Sequence, residues 1–269
     1  MTDGPQEKAS FWDHLHVLRG VLLRALGLAL LLSTAAFCLK DVLFAIVLAP
    51  QKADFITYRL LDSAARMAGI ADGLGDFHVE LISTGLARQF MIHMKVAFAF
   101  GLILASPYIV SSLYGFIAPG LYSAEKAYAR RFAAWGYLLF ALGACVSYFL
   151  IFPLTFRFLG TYQVDASISN LITLDSYVGT LTSLTLALGV VFELPVAAWL
   201  AARMGLLTAR RLRSVRRHAI VAIFVVAGII TPTSDVFTLM LVALPMWALY
   251  EVSVVIVART APKPAAAVA

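Results

Sequence analysis

Long apolar runs, separated by short polar or basic intervals, set the pattern of this chain. Crossing the hydrocarbon core of a bilayer takes about 20 residues of helix. The first run to meet that length is 20–39, GVLLRALGLALLLSTAAFCL, closed by Lys40 and Asp41. A shorter apolar stretch, 42–50, carries it on to Pro50. The charge-free stretch 96–124, with Pro107 and Pro119, holds the second span. Runs 132–156 and 176–202 supply the third and fourth, the latter interrupted only by Glu193. The fifth and sixth, 219–232 and 236–258, are separated by the tight turn TPTSD. The pattern predicts an all-α membrane protein of six transmembrane helices, with short fifth and sixth helices. The uncharged run 219–234 reaches roughly 24 Å as a helix, against a core of about 30 Å. Either neighbouring helices shield such a segment or the bilayer thins around it.

Between the spans, residues 51–90 form the largest interval. Within it, YRLLDSAARMAGIADGL has helical apolar spacing with charges on the opposite face, which predicts an amphipathic helix lying on the surface. Residues 157–177 form a second loop at the same end. Residues 1–259 read as one six-helix domain, and 260–269, rich in Pro and Ala, as a short disordered tail. The first apolar stretch follows a polar segment containing acids and lacks a small-residue cleavage site, so no cleavable signal is expected.

Composition agrees with this reading. Hydrophobic residues make up 61% of the 269 and charged residues 13%, against about 25% charged in a soluble domain. The net charge of +6 would suit nucleic acid, but in a polytopic membrane protein the placement of the basic residues says more than their sum. Of the 21 Lys and Arg, fourteen fall at one end of the spans. They are Lys8, Arg19, Arg24, Lys126, Arg130, Arg131, Arg203, Arg210, Arg211, Arg213, Arg216, Arg217, Arg259 and Lys263. The other seven, with Lys40 and Lys95 counted among them, are spread over longer loops. The positive-inside rule then predicts that both termini are cytoplasmic.

Catalytic chemistry is not evident. Cys38 and Cys145 are distant in sequence, sit in apolar runs and read as packing residues. His14 and His16 do not share a helix face, and His93 has no neighbours at metal-ligand spacing. No metal, cofactor or enzyme activity is expected. Ionisable groups within spans cost about 2.5–3.5 kcal/mol and are functional candidates by default. Asp235 precedes an apolar run as a helix N-cap would. Glu251 lies toward the cytoplasmic end of its span and can pair with an arginine there. Glu193 stands two residues before Pro195, which removes a backbone donor and weakens the helix locally. It reads as an inward-facing acid in a water-accessible cavity, with a structural hydrogen bond to a neighbouring helix as the alternative.

Several motifs occur together and in order: HLHVLR at 14–19, Pro50, Lys95 with SPY at 106–108, and FIAPGLYSAEK at 116–126. FELPVA at 192–197, TPTSDVFT at 231–238 and ALPMWALYE at 243–251 follow. With six spans, the chain resembles the TatC family, the polytopic subunit of the twin-arginine protein translocase of the prokaryotic cytoplasmic (inner) membrane. The resemblance implies a receptor that binds twin-arginine signal peptides of folded cargo and recruits single-span TatA/TatB-like subunits, driven by the proton-motive force. It implies a homo-oligomer within the receptor complex, contact with membrane lipid, no cofactor and no nucleic acid.

By the same resemblance, Glu125, Phe116, Pro119, Tyr122, Arg19 and Asp13 are the signal-peptide site. Glu193, Asp235, Glu251 and Lys95 are its intramembrane polar positions. Thr231, Pro232, Thr238 and Leu239 face partner subunits. Arginine pairs favour carboxylates, which accept charge-assisted and bidentate hydrogen bonds, so Glu125 is the central expectation. The chain also departs from the pattern. Val17 stands where HL-x-E-LR has an acid, with Asp13 one helical turn earlier as its possible substitute. Ser111 and Ser112 replace a usual Tyr-Gln pair, and Leu239 replaces a glutamine. The competing reading is a proton- or ion-coupled small-molecule transporter using Glu193, although repeated halves with broken helices are not evident.

Overall fold

A computed structural model describes residues 11–67, 69, 79–117, 129–165, 170–231 and 235–260. Helix α1 (Phe11–Cys38) breaks at Leu39 and gives way to α2 (Lys40–Val47) and a short 3-10 turn (Ala49–Gln51). An outer helix, α3 (Ile56–Met67), precedes α4 (Arg88–Ile117). The third span is α5 (Ala129–Val146), a π turn (Ser147–Ile151) and α6 (Phe152–Thr161) in continuous succession. The fourth is α7 (Leu174–Val191) and α8 (Leu194–Arg203), followed by the short α9 (Ala209–Ser214). A hairpin of α10 (Arg216–Ile230) and α11 (Val236–Thr260) completes the bundle.

Among the described residues five segments are long and apolar enough to cross a membrane: 15–38, 88–116, 133–161, 174–203 and 236–260. With α10 they make six spans, so α1 begins and α11 finishes at one end, called here the near end. Helix α10 has 15 residues, or about 23 Å at 1.5 Å per residue. Helix α11, also expected to be short, is not. Its 25 residues reach about 37 Å, because Pro245 is accommodated without ending the helix.

The most extensive helix contact among the described residues lies between α1 and α4. Small residues let backbones approach in a membrane, where van der Waals packing replaces the hydrophobic drive. Ala29, Ser33 and Ala36 on α1 are buried, and Gly101 on α4 meets the first two. A Cβ at Gly101 would stand 2.6 Å from the Ser33 nitrogen and 2.7 Å from the Ala29 oxygen, both backbone atoms that cannot swing aside. Gly101→Ala is therefore expected to push the helices apart at a cost of about 1–3 kcal/mol. Thermal melting of the purified protein in detergent would read this as a lowered midpoint, and an unchanged midpoint would refute the close packing.

The far end is fastened by side chains bonding to loop and helix-end carbonyls. The Tyr58 hydroxyl donates to the Pro50 and Pro153 carbonyls, each at 3.0 Å. Tyr148 donates to Ile46 at 2.6 Å and Tyr177 to Val47 at 2.9 Å. The π turn, which shifts the backbone bonding pattern from i+4 to i+5, leaves the Phe149 carbonyl accepting from the Thr57 hydroxyl. Helix α3 lies on the surface as the spacing predicts, with Thr57 and Tyr58 buried and Ile56, Leu60 and Met67 exposed. Arg88 of α4 pairs with Asp175 of α7 at 2.7 Å, with Lys95 4.0 Å from the same carboxylate.

A two-residue parallel pair, β1 (Leu81–Ile82) with β2 (Ile172–Thr173), joins the two far-end loops. Nothing in the sequence pattern announces strands that short. Cys38 and Cys145 are free thiols and both are exposed, which corrects their reading as packing residues: they lie on the outward surface of their helices. The tail from residue 261 and residues 68 and 70–78 of the expected amphipathic segment lie outside the described residues.

Candidate functional site

The fourth span is interrupted where Pro195 requires it. Lacking an N–H, Pro195 cannot bond back to Val191, and the helix ends there, to resume at Leu194. The join is tight: Phe192 N–H donates to Leu188 at 2.9 Å, Glu193 N–H to Val190 at 3.1 Å, and Ala197 N–H to Glu193 at 2.9 Å. Glu193 thus sits in a break within a span, and its Oε2 accepts a 3.0 Å hydrogen bond from the Tyr114 hydroxyl of α4. Its Oε1 is buried without a hydrogen-bond partner among the described residues.

Space for this pair depends on Gly136 of α5. A Cβ there would lie 2.7 Å from the Tyr114 ring, 2.8 Å from Val110 and 3.0 Å from Glu193 Oε2. The pair borders a groove of about 630 Å³ between α4, α5, α7 and α8. Its walls include Ile109, Leu113, Leu186, Val190 and Leu200. Ser106, also on the wall, donates its hydroxyl to the Ile103 carbonyl at 2.6 Å. The acid therefore faces an apolar groove where the sequence suggested a water-accessible cavity. One carboxylate oxygen is committed to Tyr114, and the other is buried with its hydrogen-bonding capacity unused among the described residues.

The other intramembrane acids have intramolecular work. Asp235 Oδ1 accepts from the Thr238 N–H at 2.7 Å and caps α11, as its position before an apolar run suggests. Glu251 pairs with Arg216 at 2.6 Å, tying α11 to the start of α10. Lys95 is at the far end beside Asp175. His93 stacks on Phe37, ring centroids 4.0 Å apart. Among the described residues no three of His, Cys, Asp and Glu gather as a metal-ligand set.

The positions of the α10–α11 hairpin expected to face partner subunits are largely internal. Thr231 is buried and donates to the Ala227 carbonyl at 2.9 Å. Thr238 is fully buried, and its hydroxyl has no partner among the described residues. Leu239 packs toward Gly228 of α10, and Pro232 lies outside the described residues. The outward face of the hairpin is instead apolar, with Val225, Ile229, Val236 and Met240 exposed.

Of the positions that the resemblance assigns to the signal peptide, Arg19 is exposed on α1, as is nearby Val17, and Phe116 is half-buried at the end of α4. Ser111 is exposed and Ser112 half-buried on the same helix. Asp13 is placed only by its position on α1, one turn before Val17. Glu125, Pro119 and Tyr122 lie outside the described residues. Helix α4 runs alongside α1 and delivers the chain to residue 117 at the near end, where α1 begins. Sequence reasoning missed Tyr114 and Gly136. A tyrosine near the end of a span and a glycine within the next one were the available signals.

Comparison with known proteins accounts for this architecture. Residues 13–245 match the family model described as Sec-independent protein translocase protein (TatC). The TatC protein of Azotobacter chroococcum mcd 1 is 35% identical over 246 residues, 91% of this chain and 88% of that one. That of Deinococcus radiodurans is 34% identical over 254 residues, 94% and 87% of the two chains. A crystal structure of the twin-arginine translocase receptor TatC in DDM superposes with a TM-score of 0.74 at 31% identity, covering 91% of this chain and 99% of that one. A family match over most of the length, relatives this similar and a shared fold identify the chain as a member of the TatC family, a membrane component of the Sec-independent protein translocase and not an enzyme.

Proposed function

We propose that this chain is the signal-peptide receptor and scaffold of a twin-arginine translocase in a prokaryotic inner membrane. The near end faces the cytoplasm, as the fourteen basic residues gathered there indicate. Glu125 receives the paired arginines, Phe116, Pro119 and Tyr122 shape the connection around it, and Arg19 and Asp13 border it from α1. The observation that carries this reading is the pairing of α1, which bears HLHVLR, with α4, which leads into FIAPGLYSAEK. Single-span TatA/TatB-like subunits then dock on the apolar surfaces, the groove at Glu193 and the outward face of the α10–α11 hairpin, and folded cargo crosses at the expense of the proton-motive force. The receptor complex contains several copies of the chain.

Expression in cells lacking their own TatC tests the proposal. A reporter with a twin-arginine signal should be exported, and the same reporter with Lys-Lys should not, because lysine cannot form the bidentate bond to a carboxylate. Equal export of both, or of neither, would overturn it. Uptake of a small solute without reporter export would instead favour the carrier reading of Glu193.

A further inference from the structure

The segment joining the fourth and fifth spans carries six arginines, Arg203, Arg210, Arg211, Arg213, Arg216 and Arg217, and no acid between them. It is a fixed shelf. Leu212 of α9 is buried against Val254 and Val257 of α11, and the Tyr250 hydroxyl donates to the Leu212 carbonyl at 2.6 Å. Thr208 caps α9 by accepting from the Arg211 N–H. Pinned on that side, the helix turns its arginines outward, and all six are exposed. Arg216 is committed to Glu251, Arg203 lies over the Trp199 ring at 5.3 Å, and Arg211 reaches the Leu206 carbonyl. No carboxylate of the described residues stands within ion-pair distance of Arg210, Arg213 or Arg217.

Two further features fix where the shelf lies. It connects the last residue of one span, Arg203, to the first of the next, Arg216, so it runs at a bilayer boundary whichever way the protein is oriented. Exposed Met204, Leu206 and Val215 lie among the arginines along it. An exposed apolar residue beside an exposed cation suits the zone where acyl chains meet headgroups, and a tryptophan at that level is usual for a membrane interface. An aqueous anion would satisfy the arginines and leave Leu206 in water.

We propose that this shelf binds the phosphate headgroups of acidic phospholipids, with Arg210, Arg213 and Arg217 as the lipid-facing cations and Leu206 against the acyl chains. Guanidinium groups suit this role because they bond phosphate oxygens in pairs. Each basic residue near an anionic surface contributes about a fivefold preference, and three contribute about 100-fold.

Trp199 reports on the site directly. With Trp12→Phe, Trp135→Phe and Trp247→Phe, it remains the single tryptophan of the full chain. That protein, reconstituted into mixtures of brominated phosphatidylglycerol and phosphatidylcholine, gives the relative binding constant of the two lipids from quenching. The expected ratio is about 100 in favour of phosphatidylglycerol at low salt. It should fall to near one in Arg210→Gln/Arg213→Gln/Arg217→Gln, while the corresponding Lys triple variant keeps most of it. A ratio near one in the starting protein, or one that the Gln triple leaves unchanged, overturns the proposal. So does capture of an oligonucleotide by the protein in phosphatidylcholine alone, where the arginines would be serving a different polyanion.

Discussion

Glu125→Ala is expected to abolish photo-crosslinking of a twin-arginine signal peptide while leaving the protein inserted in the membrane at its normal level. A guanidinium that has left water to meet a carboxylate loses more than one bond when the carboxylate goes, because its own charge stays desolvated. Truncating one partner of such a pair typically costs about 2–5 kcal/mol, a loss of binding of about 30-fold or more. A surface ion pair between Glu125 and Lys126 or Arg130, the alternative role for this acid, is worth at most about 1 kcal/mol. Crosslinking undiminished, or diminished less than about fivefold, would therefore return Glu125 to that lesser role. The absence of an acid at Val17 sharpens the experiment. If Asp13 compensates from one turn away, Asp13→Asn should weaken crosslinking in the native background, and Val17→Glu should restore it. A silent Asp13→Asn would show that Glu125 acts alone.

How much of this could be read from the chain depends on the scale of the pattern. Spans of 20 or more apolar residues are set by the thickness of the bilayer, so run length found the helices and motif order found the family. The features decided by contact between distant segments were not readable. Nothing adjacent to Glu193 in sequence names Tyr114, 79 positions earlier, or explains why Gly136 must lack a side chain. Run length placed α11 well, 236–258 against Val236–Thr260; only the expectation that this helix is short failed, since Pro245 is carried inside one continuous helix. The cysteines show the converse error. A place in an apolar run suggests packing inside the protein, but in a membrane an apolar run has an outward face too, and both thiols are on it. For the polar residues, local rules served better. Asp235 as a cap follows from its position relative to the next helix, and the pairing of Glu251 with an arginine follows from charge at the near end. Only the choice of Arg216 needed the fold.

Glu193→Gln separates the two meanings of an acid in a span. The amide has the shape of the carboxylate, and its carbonyl can still accept from the Tyr114 hydroxyl, so the break between α7 and α8 should survive. What disappears is the ability of the carboxylate, whose second oxygen is buried without a partner among the described residues, to hold a proton or bear a charge beside the groove. Hydrogen bonds to charged groups contribute about 1.5–3 kcal/mol, so export of a twin-arginine reporter should fall at least about tenfold. Signal-peptide crosslinking should change little, because the amide still accepts from Tyr114 and leaves the end of α4 at Phe116 in place. Gly136→Val gives the contrast. It drives a branched side chain into space already held by the Tyr114 ring and Val110, displacing the acid together with its partner. It should lower thermal stability as well as export, by about 1–3 kcal/mol. If Glu193→Gln instead costs signal binding and export equally and lowers the melting temperature as Gly136→Val does, Glu193 is a structural bridge between α4 and the broken fourth span. If export alone falls, the carboxylate acts after cargo recognition, at the step where another helix meets the groove.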